Sequence, residues 1–247
     1  MLRVMSAPEG PTFRELAVQA LSSVQHGYDL LAPKFDHTGY RTPASVLDSV
    51  TGALRGLGPF GSGLDVCCGT GAGMGVLRQV CRERITGVDF SAGMLAEGRA
   101  RTPVAPDAPR TDWVRADVRA LPFGPVFDLA VSFGAFGHFL PRELPGLFAQ
   151  VHSVLRPGGT FAFPIGAPAR PGSRHYWELL AFDTAMRVRN AVWRPRFVMY
   201  YRTFRVAEVR EELLRAGFEV ELRALEELGR RADGSPRCRL VVATRPV

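Results

Sequence analysis

Lysine is almost missing from this 247-residue chain, in which 30 of the 31 basic side chains are arginine. Biased coding explains part of that skew, so the arginine total by itself assigns no chemistry. Cysteine is sparse as well. Cys67, Cys68, Cys81 and Cys238 form no CxxC and no paired spacing with histidine, which argues against a zinc site and a disulfide framework and fits free thiols. No bound metal is expected. Long apolar runs are absent: the longest uncharged stretches reach about 13 residues, against the roughly 20 that a membrane-spanning helix needs. The opening MLRVMSAPEGP lacks the apolar run of a signal peptide. The expectation is a soluble, cytoplasmic monomer or homodimer.

What is present is ordinary for a folded protein. The apolar fraction of 46% and charged fraction of 22% exclude collagen-like, coiled-coil and acidic low-complexity chains. A chain of this length buries roughly 70–75% of its extended surface without metals or disulfides. The net charge of +7 is the one unusual figure. Its distribution is uneven: residues 165–205 hold eight Arg against Glu178 and Asp183, so six of the seven net charges sit there, beside two Trp, three Tyr and three Phe. A local excess points to one functional surface rather than to general polyanion binding.

Apolar spacing predicts a helix over 12–31 and a second over 43–56, with Pro43 near its first turn and Gly56 near its end. The period then changes. GLDVCC at 63–68, ITGVDF at 85–90, DWVRAD at 112–117, FDLAVSF at 127–133 and TFAFPI at 160–165 read as strands. Helical patterns at 73–82, 91–101 and 142–155 separate them, and TPVAPDAP at 102–109 reads as a loop. A helix at 206–216 precedes FEVELRALEEL and RCRLVVATR, two more strands that would suit an antiparallel hairpin at the sheet edge. The whole is an α/β fold: a Rossmann-like, doubly wound, seven-stranded sheet with an antiparallel C-terminal edge strand, N-terminal helices and a helical lid insertion. One domain over 1–247 is expected, divided into a helical cap (1–60), a cofactor-binding core (61–165), a substrate lid (166–205) and a C-terminal helix with edge strands (206–247).

The chemistry begins in LDVCCGTGAG. Gly69, Gly71 and Gly73 precede a helix, where the backbone must turn sharply and admit a ligand without a Cβ in its way. Asp89 ends the next strand, where a carboxylate can accept both hydroxyls of a ribose. The alternative for Asp89 is a helix N-terminal acid, with Ser91 as the cap. A nicotinamide site competes for the glycines, but its GxGxxG pattern meets Cys67 and Met74 here.

Five stretches in order, LDVCCGTGAG (64–73), GVDFSAGML (87–95), WVRADVRALPF (113–123), FDLAVSFGAFGHF (127–139) and VLRPGGTFAF (154–163), carry a resemblance to the class I S-adenosylmethionine-dependent methyltransferases. The resemblance is to the broad group that includes the ubiquinone/menaquinone-type enzymes. It implies S-adenosylmethionine as cofactor, with S-adenosylhomocysteine as its product. Asp65 would then hold the methionine end, with Cys67, Gly69 and Gly71 lining the turn; Cys67 departs from the family's usual glycine. The resemblance further implies that Asp89 takes the ribose, Phe90 and Met94 flank the adenine, Asp117 and the Val118 N–H meet its edge, and Ser132 and Phe133 lie beside the sulfonium. Tyr28 and Tyr40 would help close the cleft.

Methyl transfer needs a base only when the acceptor is protonated at rest. His138, after the fourth strand, is the candidate, against the reading that it only shapes the pocket; His37 and His175 are weaker ones. For 165–205 three readings stay open. One is an amphipathic helix packed on the domain with Trp177, Leu180, Ala181, Val188 and Val192 on one side. Another is an acceptor pocket built from His175, Tyr176, Trp177, Arg194, Arg196 and Tyr200. The third is a contact with anionic lipid. The expected partner is a small-molecule acceptor, anionic or aromatic, with oxygen methylation favoured on family breadth and carbon methylation of a quinone, isoprenoid or polyketide as the rival. Nucleic acid is not expected, since no [D/N]PP[Y/F] element or Pro-Cys pair is present. RNA or protein methylation, and a non-catalytic cofactor-binding protein, are the different-class alternatives.

Overall fold

Strand β1, Phe60–Val66, is buried along nearly its whole length, as a central parallel strand covered on both faces must be. In the computed structural model, which describes residues 10–12, 15, 18, 24–38, 41–103, 105–136, 139–193 and 204–247, this strand lies in a seven-stranded sheet of order β3-β2-β1-β4-β5-β7-β6. The other strands are β2 (Cys81–Asp89), β3 (Arg110–Arg115), β4 (Phe127–Val131), β5 (Leu155–Gly166), β6 (Glu219–Ala224) and β7 (Cys238–Thr244). The first five run parallel, and β7 pairs antiparallel with both β5 and β6. The C-terminal hairpin therefore lies at the sheet edge as the sequence suggested, with its reversed strand second from the end.

Helices α1 (Val24–Leu31), α2 (Ala44–Arg55), α3 (Ala72–Val80), α4 (Ala92–Arg101), α5 (Leu144–Val154), α6 (Arg174–Trp193) and α7 (Val206–Arg215) complete the fold. Successive strand residues point to opposite faces, so two cores form. Leu64, Val66, Ala130, Phe161 and Phe163 meet Leu147, Phe148 and Val151 of α5 on one face. Ile85, Leu129, Val131 and Ala162 meet Val50 and Leu54 of α2 and Val76 and Leu77 of α3 on the other. Arg245 donates to the carbonyls of His152 (3.1 Å) and Leu155 (2.7 Å), satisfying the C-terminal end of α5.

Element boundaries differ from the sequence expectation where charge misleads. The third helix stops at Val80, and β2 begins at Cys81 because the exposed Arg82, Glu83 and Arg84 extend the strand; Arg84 pairs with Asp112 at 2.7 Å. β5 likewise starts at Leu155, its Pro-Gly-Gly forming an irregularity in the register against β4. Pro43 and Gly56 flank α2 as read. Of the helix expected over 12–31, residues 13, 14, 16, 17 and 19–23 lie outside the described residues.

Helix α6 overturns one reading. Trp177, Leu180, Ala181, Val188 and Val192 are all exposed, Val192 by 77%, rather than packed on the domain.

Candidate active site

The strand order reverses between β1 and β4, and the crevice beyond their carboxyl ends is where open α/β sheets bind ligands. Ser132, buried just after β4, donates its hydroxyl to the Val66 carbonyl (2.9 Å) and fastens the two strand ends together. Beyond β1 the chain takes left-handed backbone at Cys67 (φ 59°), Gly69 (φ 52°) and Gly71 (φ 92°), and Gly71 stands immediately before α3. The Cys68 N–H still pairs with the Val88 carbonyl (2.9 Å), and the Gly71 N–H closes the turn on the Cys68 carbonyl (2.8 Å).

Trp113 of β3 forms the floor of this turn. A Cβ at Gly71 would lie 2.6 Å from its Cη2, and one at Gly98 of α4 equally close, so both glycines are needed for steric reasons as well as for backbone freedom. Only the tryptophan at 113, quoted within WVRADVRALPF, hinted at this contact in the sequence.

Two carboxylates define the electrostatics. Asp65 is 1% exposed, and its Oδ2 has no hydrogen-bond partner among the described residues. Burial, then the charge of Asp89, push its carboxyl well above the usual range, against one N–H donated by Met74. A Cβ at Gly73 would come within 2.5 Å of that carboxylate, so the glycine makes the space it occupies. Asp89 accepts the N–H of Gly69 at Oδ2 and of Ser91 at Oδ1, both at 2.9 Å. Burial raises it too, although these N–H groups oppose the shift. Ser91 caps α4 as read, its Oγ accepting the Met94 N–H at 3.1 Å.

Other candidates among the described residues follow the carboxyl ends of β2, β3 and β4. Phe90 meets Tyr28 of α1 edge-on at 5.9 Å, and Met94 is buried beneath α4. Asp117 keeps a half-exposed carboxylate while accepting the Arg119 N–H (2.9 Å), and Val118 is buried beside it. Phe133 packs partly buried on the second core. Cys67 is no nucleophile in this setting: burial, then Asp89, Asp65 and Asp117, push its thiol up.

On α6, Tyr176 is half-buried, Trp177 is exposed, and their rings meet edge-on at 5.4 Å. His138, Tyr40, Arg194, Arg196 and Tyr200, and the side chain of His175, lie outside the described residues. Sequence reasoning missed Asp29 and Asp36, which bind the opposite walls of the crevice. Their only sequence signal was proximity to Tyr28 in GYDLLAPKFDH.

A buried carboxylate oxygen without a partner suits a cationic group, and a second carboxylate held by backbone N–H groups one strand away suits a diol. The donor set fits S-adenosylmethionine. Residues 64–159 match the family described as methyltransferase domain. A ubiquinone/menaquinone biosynthesis C-methyltransferase of Roseobacter denitrificans is 32% identical over 133 residues, 52% of this chain and 52% of that protein. A 2-phytyl-1,4-naphtoquinone methyltransferase of Nostoc punctiforme is 31% identical over 131 residues, 51% and 56% of the two chains. The chain thus spans about half the length of the curated relatives it matches. Among solved structures, a Burkholderia thailandensis 1,6-didemethyltoxoflavin-N1-methyltransferase with bound 1,6-didemethyltoxoflavin and S-adenosylhomocysteine shares the fold. Its TM-score is 0.60 over 98% of this chain and 93% of that one, at 20% identity.

Residues 64–159 thus resemble a methyltransferase domain, and the fold, glycine turn and paired carboxylates agree with that likeness. Over about half of its length the sequence is similar to ubiquinone/menaquinone-type methyltransferases.

Proposed function

We propose that this chain transfers the methyl group of S-adenosylmethionine to a small acceptor, and that the receiving atom is a ring carbon of a quinone-, isoprenoid- or polyketide-type compound. The observation that carries this reading is the buried Asp65 Oδ2, without a hydrogen-bond partner among the described residues and one strand from Asp89, which suits the cationic end of the cofactor. Support for carbon comes from the curated relatives, a C-methyltransferase and a naphtoquinone methyltransferase by name. The exposed apolar side chains of α6 suit a lipophilic acceptor. Oxygen methylation of an anionic aromatic metabolite is the second reading, favoured by the eight arginines of 165–205.

When bound, the cofactor supplies an electrophilic methyl on a sulfonium. Asp65 would hold the cationic methionine end and Asp89 the ribose hydroxyls, Phe90 and Met94 would flank the adenine, and Asp117 with the Val118 N–H would meet its edge. Ser132 and Phe133 would lie beside the sulfonium at the end of β4. The protein's main work is to hold the acceptor at attack distance and keep water out, a contribution of about 7–11 kcal/mol where alignment is good. His138 is the proposed base for the proton that the acceptor loses, and Tyr28 with Tyr40 would close the cleft. Residues 166–205 would form the lid, with His175, Tyr176, Trp177, Arg194, Arg196 and Tyr200 toward the acceptor.

The test is incubation with methyl-labelled S-adenosylmethionine and a panel of naphthoquinols, phenols and carboxylic acids, reading the labelled methyl by NMR. A ring-methyl signal supports the first reading and a methoxyl or ester signal the second. No transfer to any acceptor contradicts both. His138→Ala should lower turnover at least about tenfold with cofactor affinity kept.

A further inference from the structure

Two carboxylates of the N-terminal segment grip opposite walls of the cofactor crevice. Asp29, on α1, accepts the Ser91 hydroxyl at 2.6 Å and the Gly93 N–H at 2.8 Å, both on Oδ1. These donors open α4, directly after Asp89. Asp36, in the 3-10 turn that follows α1, accepts the Thr70 hydroxyl at 2.6 Å on Oδ1 and pairs with Arg101 at 2.6 Å through Oδ2. Thr70 lies between Gly69 and Gly71 of the glycine turn. Residues 24–38 therefore bridge the ribose side and the turn side of one site. Backbone packing reinforces the grip: a Cβ at Gly93 would lie 2.9 Å from Asp29 Cα and 3.1 Å from its carbonyl oxygen.

A grip of this kind is unnecessary for α4 itself, because Ser91 already caps that helix through the Met94 N–H. It also places the Asp29 charge where it acts against ionisation of Asp89. A purely structural tie would more readily use an apolar contact than two carboxylates aimed at hydroxyl and N–H donors on the ligand-binding turns.

We propose that Asp29 and Asp36 are positioning residues that clamp segment 24–38 across the cofactor crevice, setting how fast the cofactor leaves. The proposal rests on the cofactor reading of the site. With the clamp closed, Tyr28 sits against Phe90 beside the ribose carboxylate, and release requires Ser91, Gly93 and Thr70 to give up their acceptors.

The experiment measures dissociation of S-adenosylhomocysteine by rapid mixing, with thermal melts on the same proteins. Asp29→Ala combined with Asp36→Ala should raise the off-rate by about tenfold or more, the scale set by losing charge-assisted hydrogen bonds. Asp29→Asn keeps an oxygen for Ser91 and Gly93 and should restore most of the slow release. Gly93→Ala, whose added Cβ would crowd Asp29 at its Cα, its carbonyl oxygen and its Oδ1 (3.2 Å), should speed release by pushing α1 away while keeping both carboxylates in the chain. In the unaltered protein, hydrogen exchange over 24–38 should slow when S-adenosylhomocysteine binds, a result that needs no variant to fold. Variants that melt lower yet release the ligand at the unaltered rate, or exchange over 24–38 that ignores the ligand, would overturn the clamp and leave the cofactor site standing. Failure of the unaltered protein to bind S-adenosylhomocysteine would overturn both.

Discussion

Asp65 and Asp89 face one glycine turn from adjacent strands, and the charge of Asp89 adds to burial in driving the Asp65 carboxyl upward. The unliganded site thus stores unfavourable electrostatics that a cationic ligand relieves. Asp65→Asn should therefore raise the melting temperature of the unliganded protein, since it removes a carboxyl that folding holds out of water beside a second acid. The same change should weaken S-adenosylhomocysteine binding at least about tenfold, the loss expected when a charge-assisted contact goes. Melts with and without ligand check both halves.

The pH dependence follows from the same shift. A carboxyl raised by folding makes the native state hold more protons than the unfolded chain, so its stabilising effect is complete below the ordinary value of about 4 and is lost as pH rises through the raised value. The stability advantage of Asp65→Asn should consequently vanish in acid and grow toward neutrality. Ligand affinity should move the opposite way to native stability, rising with pH because the ammonium needs the ionised carboxylate. Calorimetric titrations across this range, with a melt at each pH, measure it.

Much of this was legible from residue pattern, for identifiable reasons. The strands were legible because their apolar runs are short and bounded by glycine and charge, although β2 and β5 begin earlier than read, and Asp65, Asp89 and Ser132 fall at or beside strand ends, where the resemblance had put them. Less was legible where the partner comes from far along the chain. Asp29 meets Ser91 across 62 residues, and Asp36 meets Thr70 across 34, with no local pattern to announce either. The exposure of the apolar side chains of α6 was not legible, because helical spacing does not say which side of a helix the domain lies on.

Cys67 occupies a left-handed backbone position where glycine is at ease. Cys67→Gly should leave stability within about 1 kcal/mol of the unaltered protein, since relief of that strain offsets glycine's extra entropy. It should retain S-adenosylhomocysteine binding. In the unaltered protein the Cys67 thiol should react with iodoacetamide more slowly than a free cysteine at the same pH, as its raised thiol requires.

The arginine excess of 165–205 separates the acceptor readings. Arg194→Glu with Arg196→Glu should raise the acceptor KM if these side chains recognise an anionic group of the acceptor. A change confined to sedimentation with anionic vesicles would instead assign the segment to a lipid surface. Steady-state kinetics and vesicle sedimentation on the same variant give the answer.

Calorimetric titration of S-adenosylhomocysteine into the unaltered protein and into Asp89→Ala tests the central claim most directly. The account predicts binding at one site per chain, with affinity lost by at least about tenfold when the ribose carboxylate is removed, the scale of two charge-assisted hydrogen bonds. Equal affinity in the two proteins, or no binding to the unaltered one, would contradict it.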